Sequence, residues 1–211
     1  GDHRDLHLSI RRQRQMCIRD SSFAGAVQDL DPQEGPFLVV DIGGGSTEFV
    51  FGTKSVESAR SVNIGCVRMS ERHFANDPAT PEQIEFARTD IQAAIDLAAA
   101  EVPITKAKTL VAVAGTATTV AAAGLDLSEY DRYAIHLARI SAAQVHDASA
   151  MFLTRNREER LSLGYMHPGR VDVIGAGSLV LSEIVRATGA TEFVASESDI
   201  LDGMARSLVQ G

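Results

Sequence analysis

Residues 37–52 read FLVVDIGGGSTEFVFG, and their order decides the fold. Phe37 to Ile42 is an apolar run rich in β-branched side chains, the composition of a strand buried on both faces. Gly43-Gly44-Gly45-Ser46 interrupts it as a turn. Thr47 to Gly52 resumes as a second strand and Ser55 to Ile64 reads as a third, so tight turns predict an antiparallel meander.

Downstream the period becomes helical. Thr80-Pro81-Glu82-Gln83 combines a capping threonine, a proline suited to the first helical position and a glutamine that completes a capping box. Ile84, Ala87, Ile91, Ala94, Ile95 and Ala98 then form one apolar stripe, closed before Pro103. Thr109 to Ala114 (TLVAVA) reads as a buried strand that turns at Gly115-Thr116 into a short helix ending near Gly124. Ser141 to Leu153 and Glu158 to Leu163 read as helices, as does a longer stretch from about Val171 to Thr188. Glu192 to Ala195 is a strand, and Ser196 and Asp199 open a last helix to Val209. The order β-β-β-α-β-α-β-α predicts an α/β, ribonuclease-H-like (actin-like ATPase) domain: a mixed sheet with an antiparallel three-strand meander and flanking helices.

The 211 residues suit one domain, and 45% hydrophobic content can fill a core. A formal net charge of −8 and an aromatic content of 5% without Trp argue against nucleic-acid and membrane-surface binding, which need a basic face or stacking platform. Cys17 and Cys66 form no CxxC pair, which fits a reducing, cytoplasmic setting. No apolar run reaches the length of a membrane span. Residues 1–22 stand apart, with five arginines, three aspartates and no apolar periodicity. They are read as non-native or disordered, the alternative being a basic arm for an acidic partner, and 23–211 as the folded unit.

The chemistry concentrates at Asp41 to Glu48. Three glycines between strands can adopt positive φ and present no Cβ to a ligand, so their N–H groups can converge on phosphate oxygens. Ser46 can add a hydroxyl. Asp41 at the strand end can hold Mg²⁺ directly or through water. Glu48 stands where it can orient or deprotonate a water. The plainer alternative is a glycine-rich hairpin flanked by two solvated acids.

FLVVDIGGGSTEFVFG, the following NIGCVRMSE, VAVAGTATTVAA, PGRVDVIGAGSLVLSEI and FVASESDILDGMA together resemble the exopolyphosphatase/guanosine-pentaphosphate phosphohydrolase family of the actin/Hsp70/sugar-kinase superfamily. The resemblance runs over about residues 22–211. It implies Mg²⁺-dependent release of terminal phosphate from inorganic polyphosphate or guanosine pentaphosphate. It implies that Gly43, Gly44, Gly45 and Ser46 form a phosphate loop, with Asp41 on the metal side and Glu48 as the water-positioning acid. Arg68 then answers phosphate charge, its alternative being a surface salt bridge. Gly115 and Thr116 form a strand-to-helix turn facing an anion, or merely permit close packing. Asp172, near a helix start, is favourable on dipole grounds alone.

Family members begin with a further lobe carrying another phosphate loop and the main catalytic base. The chain is therefore expected to be a second, C-terminal lobe, with Ser22 to Leu30 the end of the connecting helix. Alone it should be almost inactive, and it would require that first lobe, or a second copy of itself, as partner. Two other readings stay open: a module that binds polyphosphate or a guanosine alarmone without cleaving it, and an ATP-handling actin-like relative. The second is weakened because Ala114-Gly115-Thr116 lacks a paired-glycine adenosine site.

Overall fold

The computed structural model describes residues 23–197; the segment 1–22 and the helix expected up to Val209 lie outside them. After a short helical stretch, α1 (residues 23–27), the meander forms where the apolar runs place it. Its strands are β1 (Phe37–Ile42), β2 (Thr47–Gly52) and β3 (Val56–Val62). Then follow α2 (Cys66–His73), α3 (Pro81–Ala99), β4 (Thr109–Val113), α4 (Ala114–Gly124) and α5 (Arg132–Ile135). The last described elements are β5 (Arg139–Ser141), α6 (Ala142–Thr154), α7 (Arg157–Leu161), α8 (Ile174–Thr188) and β6 (Glu192–Ser196).

Local chemistry explains the boundaries. Thr80 accepts from the Gln83 amide while the Gln83 side chain accepts from the Thr80 amide, with Pro81 in the first turn. Ser141 and Gln144 repeat the device at α6. The six strands run in the order β3-β2-β1-β4-β6-β5. β1, β2 and β3 pair antiparallel, whereas β4 joins β1 and β6 in parallel. This is the mixed, ribonuclease-H-like sheet that the element order predicts.

Sequence periodicity missed three elements. α2 has Gly65 at its N-cap and no capping side chain, so nothing announces its start. α5 and β5 are only four and three residues long. α8 begins at Ile174 rather than Val171, because turns occupy the residues before it.

The larger core lies between one sheet face and the helices. It takes Leu38, Val40, Ile42 and Phe49 from the strands, Ile91 and Ile95 from α3, and Leu179 and Ile184 from α8. The opposite face carries Val39, Val50, Val111, Val113 and Val194, packed with Phe23 and Ala26 of α1. This alternation follows from the two-residue period of strands. No described helix is long and apolar enough to cross a membrane.

α3 is tied to α8 through charge as well as apolar contact. Glu183 is 2% exposed and accepts hydrogen bonds from Arg88 and, at 3.1 Å, from Gln92 Nε2. Removing the carboxylate leaves the partly buried Arg88 guanidinium with only the exposed Glu85, at 3.4 Å. Glu183→Ala should therefore lower stability by on the order of 3 kcal/mol, read as an earlier midpoint in urea with an unchanged slope.

Candidate active site

The three parallel strands end together: Asp41 is in register with Val113, and Val113 with Ser196. Asp41 also faces Glu48 across the β1–β2 pair, and Glu48 faces Ser61 across β2–β3. Directly paired residues share a sheet face. Ser61, Glu48, Asp41, Val113 and Ser196 therefore form one row across the carboxyl ends of β3, β1, β4 and β6 and the amino end of β2, on the face opposite the main helical layer. Ligands of open α/β sheets bind at this end.

Gly43 to Ser46 leave the sheet beside this row. The Gly43 amide donates to the Ser46 carbonyl at 3.0 Å. The Gly43 carbonyl accepts from the Cys66 amide, and the Gly44 carbonyl from the amides of Val67 and Arg68, at 2.9–3.0 Å. The first amides of α2, which a helix leaves without internal partners, are thus spent on the loop. The loop's outward amides at Gly44 and Gly45 donate to no carbonyl among the described residues, and both glycines are exposed. The loop therefore offers the donors that an anion needs.

The reason for the glycines differs from the one expected. None of Gly43, Gly44 and Gly45 has positive φ. The steric demand falls on Gly65, where a Cβ would lie 2.4 Å from the carbonyl carbon and oxygen of Gly44. At Gly45 the nearest atom to a Cβ is Arg68 Nη2, at 3.7 Å, so its bare backbone leaves room on the solvent side.

Each expected residue now has a position. Asp41 and Glu48 are half-buried and face one another across the strand pair. Glu48 Oε1 accepts from Ser46 Oγ and from Ser61 Oγ, each at 2.7 Å. The Ser46 hydroxyl proton is thereby committed to Glu48 rather than aimed at a ligand. Arg68 is exposed and donates from Nε to the Gly45 carbonyl at 2.8 Å. It makes no salt bridge among the described residues, so its guanidinium is anchored to the loop with its terminal nitrogens available.

The second turn is built differently. Ala114 takes the left-handed region, with φ 68°, and carries β4 straight into α4 at a cost in backbone strain. No side chain caps α4 and no acid lies in its first turn, which leaves a positive helix end. Gly115 sits under Arg170: a Cβ there would meet the guanidinium at 2.3–2.5 Å. Thr116 is 5% exposed and packs beside Cys66 against Gly177, so its side chain is buried rather than open to solvent. Burial pushes the Cys66 thiol up, outweighing the Thr116 hydroxyl and the Arg170 charge; at neutral pH it is a thiol. Gly177 of α8 closes this knot, since a Cβ there would stand 2.7 Å from Thr116 Oγ1 and 3.0 Å from Cys66 Cβ.

Sequence reasoning gave no role to Arg170, Tyr130, Glu197 or Ser61. Arg170 Nη1 reaches Thr119 Oγ1 at 3.4 Å, and the Tyr130 hydroxyl donates to Glu197, just beyond β6. Burial, reinforced by Glu197, pushes the Tyr130 phenol up. A cavity of about 340 Å³ opens between Tyr130, Tyr165, His167 and Arg170. Asp172 pairs with Arg157 at 2.8 Å, consistent with a structural role. Among the described residues no three His, Cys, Asp or Glu side chains gather as a metal site.

The sequence pattern of the Ppx/GppA phosphatase family matches residues 20–210. Exopolyphosphatase 2 of Mycobacterium tuberculosis is 42% identical over 191 residues, covering 89% of this chain and 60% of that protein. A crystal structure of an exopolyphosphatase-like protein superposes with a TM-score of 0.87 at 39% identity, over 92% of this chain and 66% of the other. The Aquifex aeolicus member of the Ppx/GppA family gives 0.78 at 26% identity, over 93% and 62%. The chain thus spans about three fifths of the length of the mycobacterial relative.

Two glycine substitutions separate packing from ligand access. Gly65→Ala should cost about 1–3 kcal/mol, because backbone rather than a flexible side chain must yield, and should lower the midpoint of thermal unfolding. Gly45→Ala should leave that midpoint unchanged yet weaken binding of a polyphosphate chain in a titration.

Proposed function

The chain belongs to the Ppx/GppA phosphatase family, and from that premise we propose that it forms one wall of a cleft releasing terminal phosphate from inorganic polyphosphate or guanosine pentaphosphate. The observation that carries this reading is the row of Asp41 and Glu48 beside a loop whose outward amides donate to no carbonyl among the described residues. In this reading the amides of Gly44 and Gly45 bind the terminal phosphate, and Arg68 balances its charge with a guanidinium anchored on the loop. Glu48 holds the attacking water in line, with the Ser46 hydroxyl bonded to its carboxylate.

The residues fit a Mg²⁺ ion. Two carboxylates directly opposite on one sheet face repel, and Asp41 offers a hard oxygen ligand at the strand end. The rest of an octahedral shell would come from phosphate oxygens and water, as is usual for Mg²⁺. Bound there, the ion would neutralise charge on the phosphoryl oxygens.

Two features weigh against an ATP-handling role: Arg170 covers Gly115, where a paired-glycine nucleotide turn would need open backbone, and the Thr116 side chain is buried. Catalysis requires donors and base fixed around one phosphate within a fraction of an ångström. A chain spanning three fifths of its relative supplies one side of that constellation. We therefore expect activity to need the wall that the remaining length of such relatives would add.

Phosphate release from polyphosphate in the presence of Mg²⁺ tests both claims. Residues 1–211 alone should give almost no turnover, while the same chain joined to a first lobe should be active. In the active form Glu48→Gln should lower kcat by about 10²–10⁴-fold. Full turnover by 1–211 alone would overturn the one-wall reading, and an unaffected Glu48→Gln variant would remove Glu48 from the mechanism.

A further inference from the structure

Ser61 lies outside the loop and carries none of the roles assigned above, yet it touches the residue on which the chemistry turns. Its hydroxyl donates to Glu48 Oε1 at 2.7 Å, and the Ser46 hydroxyl donates to that same oxygen at 2.7 Å. The two donors differ in origin. Ser46 sits two residues from Glu48, on the glycine loop that a ligand would touch. Ser61 comes from β3, thirteen residues further on, and is held directly opposite Glu48 by the β2–β3 register.

A glutamate has three rotatable side-chain bonds, and a single hydrogen bond leaves its carboxylate free to swing about the bonded oxygen. Two donors converging on one oxygen, one from the loop and one from a strand, restrict that swing. They also leave Oε2 as the acceptor through which the carboxylate can hold a water, since neither donor occupies it. A strand residue in a paired register is the more rigid of the two supports, which is what a positioned group requires.

We propose that Ser61 is a positioning residue for Glu48, locking its carboxylate through Oε1 so that Oε2 faces the phosphate held by the loop. The proposal rests on the reading of Glu48 as the water-holding acid and adds the residue that orients it.

Two measurements test it. In the two-lobed enzyme, Ser61→Ala should lower kcat for polyphosphate about tenfold with KM unchanged, as expected when a reacting group is misplaced rather than removed. Ser61→Thr, which keeps the hydroxyl, should restore kcat. Adding Ser61→Ala to Glu48→Gln should cause no further loss, because Ser61 acts only through the carboxylate. A loss that adds fully to that of Glu48→Gln, or a threonine variant as poor as alanine, would overturn the proposal.

The second measurement needs no activity. Side-chain couplings of Glu48, measured by NMR in residues 1–211, should report one conformer in the wild type and averaging in Ser61→Ala. Couplings already averaged in the wild type, or unchanged in the variant, would overturn the proposal even if the enzyme works. A wild type that releases no phosphate but shows a Ser61-dependent conformer would sink the hydrolytic reading and leave the orientation by Ser61 standing.

Discussion

The docking of the glycine loop onto the start of α2 governs the rest of the site. Three consecutive amides of α2 donate to the carbonyls of Gly43 and Gly44, and Gly65 permits the approach because any Cβ there would strike the Gly44 carbonyl. Three hydrogen bonds, each contributing about 1 kcal/mol net, hold a segment that would otherwise be a mobile hairpin tip. The polarity of the arrangement matters more than its strength. With the carbonyls turned inward to the helix, the peptide units at Gly44 and Gly45 present their N–H ends outward. The positive end of α2 stabilises the loop, and the loop, rather than the helix terminus, offers its amides to solvent.

Sheet register carries the remaining chemistry. Asp41, Glu48 and Ser61 reach one row only because β1, β2 and β3 pair as a meander with these residues opposite one another. A slip of one position would send the carboxylates to the helical face. There Val40 and Phe49 now fill the core, and an unpaired buried charge would be costly. Burial of the apolar alternates thus enforces the alignment of the acids. The second turn is joined to the first through Cys66, Thr116 and Gly177, where three helices meet with no space for another methyl group. A displacement at either turn is therefore felt at the other.

Much of this was legible in the chain itself. The apolar runs placed β1 and β2 at their observed ends, and the Thr80 capping box marked the start of α3. GGGS between two carboxylates marked the loop that joins β1 to β2. Where the two hydroxyls lie was not legible: Ser46 donates to Glu48, and Thr116 is buried beside Cys66 and Gly177. The glycines were expected to allow positive φ and to present no Cβ to a ligand; none of the three uses positive φ, and the tightest steric demand is at Gly65, whose neighbour across the crossing no local pattern reveals.

Sequence alone determined the three-strand meander, the longer helices, and the position of the glycine loop and the two acids beside it. These depend on side-chain period, on caps and on turn residues, all of which act over a few positions. Only the tertiary structure decided which way the loop's amides point, that Ser61 stands against Glu48, that Arg170 lies over Gly115 and that Thr116 is turned inward. Each of those depends on a contact between residues 13 to 55 positions apart, and such contacts exist only once register and helix packing have brought the segments together.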